Sequence, residues 1–341
     1  MARARKSLWG ASFQRMLGKM TRATMRAGTK AVVKATRQAG AKAARKAVAK
    51  RAPPPGAGDW IAGVAVAPAG ARRYHLYRPP GMEAADRPPL LVMLHGCQQD
   101  AKGFALATRM NRIAARERFC VLYPDQDRLA NVQGCWNWYD TRSGRAQGEA
   151  AMLMAAVDQV VLLYRVDVAR VAVAVLSAGA GMAALLATRY PERFAAVAMH
   201  SGVAPGTAYS TATALGAMRG HRASAPLPTA GTGPALPPLL VIQGSLDGVV
   251  AQANGRAAAL LWADAAGARA GLPRRVQRGA RHAMTITDFK AQGRIAASLC
   301  EVASLGHAWS GGAAGQPFSD AKGPDASRMV WAFVAKQFAT K

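Results

Sequence analysis

From residue 59 onward, short apolar runs alternate with longer stretches whose apolar positions recur every three or four residues. Residues 61–67 and 72–78 read as two strands that meet at the turn Pro68-Ala-Gly70. The run Pro89-Leu-Leu-Val-Met-Leu-His95 is short enough for a buried strand. A helical pattern follows over 101–118, then a strand at 119–123, a helix at 147–165 and a strand at 170–176. A helix at 179–190 and a strand at 194–199 continue the alternation. Residues 206–236, rich in Gly, Ala, Thr, Ser and Pro, read as a long loop or lid. A strand at 238–243, a helix at 249–266, a strand at 296–303 and a helix at 324–339 complete the pattern. Such alternation predicts an α/β class with a mostly parallel central sheet and helices on both faces. No internal repeat is evident. No run of about 18 uninterrupted apolar residues occurs, so no transmembrane segment is expected.

The first 58 residues follow a different pattern. Over 6–28, Leu8, Trp9, Phe13, Met16, Leu17 and Met20 fall on one helical face, with Arg15, Lys19, Arg22 and Arg26 elsewhere. A basic amphipathic helix of this kind seeks surfaces. Residues 29–51 are mostly Ala, Lys and Arg, as in DNA-compacting tails, and Pro53-Pro-Pro55 with Gly56 and Gly58 forms a linker. Charge sharpens the division. The chain of 341 residues carries a formal +27, and 15 of its 45 basic residues, with no acid, precede Asp59. The expected organisation is a cationic helical or disordered tail over 1–58 and a globular domain over 59–341. The tail lacks an apolar core typical of a secretory signal, and its Arg-rich, acid-free composition also matches an organelle transit peptide. An anionic surface is the expected partner of such a tail, nucleic acid is an alternative, and a merely solvated arm is the plainest one.

The chemistry gathers in four places. Val171-Ala-Val-Ala-Val-Leu-Ser177-Ala-Gly179 puts a serine between a buried strand and a helix, as in a nucleophile elbow, although a serine there is also an ordinary helix cap. Val175 stands where the elbow pattern has its first glycine, so a perturbed turn is expected. Asp247 follows the strand at 238–243, and His307 lies in a small-residue loop after the strand at 296–303. The order Ser177, Asp247, His307, separated by 70 and 60 residues, suits a triad in which His307 is the base and Asp247 sets its tautomer. His95-Gly-Cys-Gln-Gln99 follows the 89–95 strand, where the backbone N–H of Cys97, with that of Ala178, is the candidate oxyanion hole. His95 itself reads as structural.

Taken together, Leu94-His-Gly-Cys-Gln-Gln99, Gly134-Cys-Trp-Asn-Trp-Tyr139, Leu176-Ser-Ala-Gly179 and Leu305-Gly-His-Ala-Trp-Ser-Gly-Gly312 resemble the polyhydroxybutyrate depolymerase family of esterases. The resemblance spans about 75–340. It implies an α/β-hydrolase fold, hydrolysis of poly(3-hydroxybutyrate) or its oligomers, or of feruloyl or acetyl esters on polysaccharides, and no cofactor. By position it implies Ser177 as nucleophile, Asp247 as acid and His307 as base. Secreted members imply an extracellular location, whereas a cytoplasmic enzyme docked on polyester granules suits the tail.

Trp136, Trp138, Tyr139 and Trp309 lie near these motifs and are candidate substrate contacts, with core packing as the alternative for each. No cysteine pair has metal-ligand spacing, so no metal is expected. Cys120 and Cys300 fall in apolar strands and are expected as buried thiols. For Cys97 and Cys135, in two site loops, a bridge and two free thiols remain open. Two classes of function stand: a serine esterase, and a granule- or DNA-associated binding protein whose hydrolase domain is weakened.

Overall fold

The computed structural model describes residues 53–54, 56–83, 85–227, 229 and 235–339. The amphipathic helix expected at 6–28 and the basic stretch 29–51 lie outside the described residues. A compact unit runs from Pro54 to Lys341.

Its elements in order are β1 (Asp59–Ala67), β2 (Gly70–Arg78), β3 (Leu90–Leu94), α1 (Ala101–Thr108), α2 (Met110–Glu117), β4 (Cys120–Pro124) and α3 (Arg145–Tyr164). Then come β5 (Val171–Leu176), α4 (Ala178–Arg189), β6 (Ala196–His200), α5 (Thr211–Met218), β7 (Leu239–Gly244) and α6 (Ala253–Ala265). The chain ends with β8 (Arg269–Ala270), β9 (Arg274–Val276), β10 (Met284–Ala291), β11 (Arg294–Val302), β12 (Trp309–Ser310), β13 (Ser319–Asp320) and α7 (Ala326–Phe338).

The main sheet has the order β1-β2-β4-β3-β5-β6-β7-β11-β10-β8, with β9 beside β10. From β4 to β11 every neighbouring pair is parallel, and the flanking pairs are antiparallel. All residues of β3 and β5 are buried, as strands covered on both faces require. The two-residue period divides them. Leu90, Val92, Leu94, Val171, Val173 and Val175 enter one core with residues of α3, α4 and α6, whereas Leu91, Met93, Ala172, Ala174 and Leu176 enter the other with α1, α2 and α7. Helix α3 is long and apolar enough to cross a membrane by length and composition, and half of it is buried inside the fold.

Three expectations change. The helix expected over 101–118 breaks at Arg109, whose φ is 54°. The Ser327 hydroxyl donates to the Thr108 carbonyl at 2.7 Å, so a contact from α7 takes an acceptor that a continuous helix would have used. The 206–236 stretch is not wholly loop, because α5 lies within it. Ser210 Oγ accepts from Thr213 N and Thr213 Oγ1 from Ser210 N, a capping box that starts a helix with little amphipathic signature. Third, 284–291 is a strand that the pattern left unassigned. It turns into β11 through Gln292 and Gly293, with φ of 50° and 76°, a two-residue hairpin whose sequence lacks the usual Asn-Gly signal.

Candidate active site

The parallel strands deliver the site loops to one edge of the sheet: 95–99 after β3, Ser177 after β5, Asp247 after β7 and His307 after β11. Ser177 has φ 56° and ψ −119°, a conformation that costs a non-glycine residue on the order of 1–3 kcal/mol. Its neighbours hold it there. Ser177 N donates to the His200 carbonyl at 2.9 Å, and Ala180 N donates to the Ser177 carbonyl at 2.8 Å. The turn also needs Gly179, where a Cβ would lie 2.7 Å from the Leu94 carbonyl oxygen and force α4 away from β3.

The three polar groups form one hydrogen-bonded line. His307 Nε2 is 2.9 Å from Ser177 Oγ, and Nδ1 is 3.0 and 2.9 Å from the two Asp247 oxygens. A carboxyl acceptor at Nδ1 requires the proton there, leaving Nε2 to accept from the serine hydroxyl. Burial alone raises the Asp247 pKa. The His307 hydrogen bond and the Val250 and Val249 N–H groups, at 2.8 and 3.0 Å, outweigh it and hold the group below its ordinary value. Gln243 Nε2 adds a longer contact to Asp247 at 3.3 Å.

Val175 packs beside this turn. Its side chain is fully buried, and a Cβ on Gly179 would be only 3.1 Å from Val175 Cβ. The space that the missing first glycine leaves is thus filled against the second one, which is retained. Replacing Val175 by Gly is therefore expected to lower stability by about 2–4 kcal/mol, through a cavity and a more flexible strand, without raising turnover. Denaturant midpoints and initial rates check this, and a faster Gly variant of unchanged stability would contradict it.

Beneath the 95–99 loop lies a buried polar network that sequence reasoning missed. His95 Nδ1 donates to the Gly96 carbonyl at 2.8 Å, and its Nε2 accepts from Gln126 N at 3.2 Å. Gln126 Nε2 donates to Glu149 Oε1 at 2.7 Å and to the Cys135 carbonyl at 2.9 Å. Asn137 donates twice to Glu149, from N at 2.9 Å and from Nδ2 at 2.7 Å. The Arg72 guanidinium binds Gln126 Oε1 and lies 5.4 Å from the Trp136 ring centroid. The available signal was Glu149 itself, an acid among Ala146, Ala150 and Leu153 on the buried face of α3.

Cys97 and Cys135 are joined as a disulfide, which ties the 95–99 loop to the 134–139 loop, and Cys120 and Cys300 are free and buried. Thiol titration of the denatured, unreduced chain is expected to find two groups, with four excluding the bridge. A Cβ on Gly96 would be 3.4 Å from Ser177 Cβ, so this loop packs directly on the serine. Ala178 is the first residue of α4, and its N–H has no partner within the helix.

The aromatic expectations divide. Trp136 and Trp309 are 0% and 1% exposed, so they are corrected to core residues. Each spends its indole N–H internally, Trp136 on the His95 carbonyl at 2.8 Å and Trp309 on Ser327 Oγ at 3.0 Å. Trp138 and Tyr139 stay half-buried, in edge contact with each other. Trp138 rests on Gly181, where a Cβ would lie 2.4 Å from its ring.

His200, also missed, ends β6. Its ring stacks on Trp309, and its Nε2 accepts from Ser310 N at 3.0 Å. Burial, with His307 nearby, pushes its pKa down to about 3, and burial also lowers that of His95. In the unfolded chain both take up protons near pH 6.5, so the fold loses stability as pH falls below that value, through His200 down to about pH 3. Within that window His200 contributes about 1.4 kcal/mol per pH unit, and His95 acts in the same direction. Denaturant midpoints are expected to fall between pH 6.5 and 4.5, above the range in which the aspartates protonate. A midpoint constant over that interval would contradict two buried neutral histidines.

The sequence profile of the family described as "Esterase PHB depolymerase" matches residues 72–275. Poly(3-hydroxyalkanoate) depolymerase C of Paucimonas lemoignei is 38% identical over 125 residues, which cover 36% of this chain and 30% of that protein. Feruloyl esterase B of Neurospora crassa is 34% identical over 122 residues, covering 35% of this chain and 41% of that protein. The matches thus span less than half of these relatives' length. Among solved structures, an acetyl xylan esterase from Aspergillus awamori superposes with a TM-score of 0.59 at 20% identity, covering 74% of this chain and 94% of that one. The fold is that of the α/β-hydrolases.

Proposed function

The chain belongs to the esterase PHB depolymerase family, and from that membership we propose that it is a serine esterase working through an acyl-enzyme. The observation that carries this is the unbroken hydrogen-bonded line from Asp247 through His307 to Ser177. Ser177 Oγ attacks the ester carbonyl carbon while its proton passes to His307 Nε2. The carbonyl oxygen, now negative, is received by the Cys97 and Ala178 N–H groups, a pair in which losing one donor typically costs about 10²–10³ in rate. Collapse expels the alcohol, which takes the proton from Nε2. Water then repeats the cycle on the acyl-serine and releases the acid. Asp247 keeps the Nδ1 proton in place and balances the imidazolium charge. Trp138 and Tyr139 are the aromatic side chains left to meet the acyl group.

The substrate we favour is poly(3-hydroxybutyrate) or its oligomers, on the strength of the relative named as a poly(3-hydroxyalkanoate) depolymerase. Feruloyl or acetyl esters of polysaccharides are the second candidate, supported by the relative named as a feruloyl esterase. The cationic tail would bring the enzyme to a polyester granule or another anionic surface, with nucleic acid as the less favoured partner.

A panel of hydroxybutyrate oligomers, feruloyl esters and acetylated xylan, run beside labelling with a serine-directed phosphonate, tests the proposal. Turnover of the oligomers at the highest kcat/KM, with label on Ser177, is expected. Fastest turnover of feruloyl or acetyl esters would move the substrate to the second candidate. Absence of both turnover and label would favour a binding protein with a weakened hydrolase domain.

A further inference from the structure

On the face of the sheet covered by α1, α2 and α7, a groove of about 640 Å³ opens between these helices and the segment 276–284. Six arginines line it: Arg109, Arg112, Arg116, Arg278, Arg281 and Arg328. They come from three separate stretches of chain, so no single helical periodicity explains their convergence. Ile113, Met284 and Met329 contribute apolar surface, and Ser177 and His307 are not part of the lining.

The carboxyl group in the lining is already engaged. Asp325 caps α7 through the Arg328 N–H at 3.1 Å and lies 3.7 Å from Arg328 Nε. Arg116 pairs with its own neighbour Glu117 at 2.7 Å. Arg112 and Arg278 are exposed and have no carboxylate partner among the described residues. The two half-buried arginines are fixed from behind. Arg109 Nη2 donates to the Gly311 carbonyl at 2.5 Å, and Arg281 Nη1 donates to the Gly323 carbonyl at 2.6 Å. Each guanidinium has five N–H donors, so most remain available after this anchoring.

We propose that this groove is a binding site for a compact polyanion of the di- or triphosphate class. Arg116 and Arg328 have carboxylates of their own, and the other four guanidinium groups around one concavity repel one another unless an anion lies between them. The planar fork matches phosphate oxygens two at a time, and prior anchoring reduces the side-chain entropy lost on binding. A single negative charge would leave most of the excess uncompensated, which favours a multiply charged ligand. A volume of about 640 Å³ lies in the range of small-molecule sites, roughly 300–1,000 Å³, and suits a compact ligand better than a polymer. The apolar patch gives room for a nucleoside attached to the phosphates. The site is independent of the esterase chemistry proposed above.

The test uses the full chain, titrated calorimetrically with tripolyphosphate at 150 mM salt, and separately with ATP. Residues 1–58 also carry 15 basic groups, so hydrogen exchange must locate the contact. One saturable site is expected, with protection at 109–116 and 278–282. The double variant Arg112→Ala/Arg278→Ala should bind at least tenfold more weakly while keeping the parent melting temperature, and Arg278→Gln alone should weaken binding in the same direction. ATP binding at least tenfold tighter than tripolyphosphate would identify the ligand as a nucleotide, and similar affinities would identify free polyphosphate. Protection confined to residues 1–58, affinity unchanged in the variants, or no saturable binding would each overturn the proposal.

Discussion

Replacement of Ser177 by alanine is expected to lower kcat on a short-chain chromogenic ester by about 10⁴-fold or more, with the fold intact. The hydroxyl is the atom that would become covalent, and no other group in the line can take its place. Alanine keeps a Cβ, so the turn at φ 56° is no more strained than before. The Ser177 backbone bonds to the His200 carbonyl and from Ala180 N are untouched. The melting temperature should therefore stay near that of the parent. His307→Ala should cost a comparable factor, and the double variant little more, because the two act as one unit. Turnover of the Ser177 variant within tenfold of the parent would remove Ser177 as nucleophile.

The second large effect is expected at Glu149, some distance from the reacting atoms. Its two oxygens accept from Gln126 Nε2, Asn137 N and Asn137 Nδ2. Glu149→Gln has nearly the same shape but turns one acceptor into a donor facing a donor. A buried donor left unsatisfied costs about 1–3 kcal/mol, and more where a charge such as that of Arg72 loses its counterpart. Stability should fall by about 3 kcal/mol on this basis. Because Gln126 N also holds His95 Nε2 beside Gly96, loosening the network should let the Cys97 N–H drift from its aim. Lower kcat with nearly unchanged KM is the expected kinetic signature. A Gln variant with the parent's denaturation midpoint and kcat would show that the network supports neither fold nor site.

Much of the architecture was legible without coordinates, for local physical reasons. Strands such as Leu90–Leu94 and Val171–Leu176 are buried on both faces, so they read as unbroken apolar runs between polar turns. Ser177, Asp247 and His307 could be placed because each follows such a strand, and strands that run parallel in one sheet end at one edge. Their convergence within hydrogen-bond distance is a matter of strand order, which no local pattern encodes.

Where tertiary contacts overrode local signals, the pattern misled. Arg109 breaks a good helical sequence because Ser327, far along the chain, takes the Thr108 carbonyl. Gln292-Gly293 makes a hairpin turn with a weak signature because β11 has β7 as a parallel partner and β10 completes its other side. Aromatic residues carry no label for their role. Trp136 and Trp309 entered the core because His95 and Ser327 satisfy their N–H groups there, while Trp138 and Tyr139 remained half-exposed. Val175 departs from the motif, and only the structure shows it packed beside Gly179. Glu149 could be noticed as an acid on an apolar face, but its donors, Gln126 and Asn137, lie on two other segments, and only folding brings them to one pair of oxygens. Chain periodicity thus decided which residues form strands and helices and which polar residues stand at their ends. Long-range packing decided which of those residues meet.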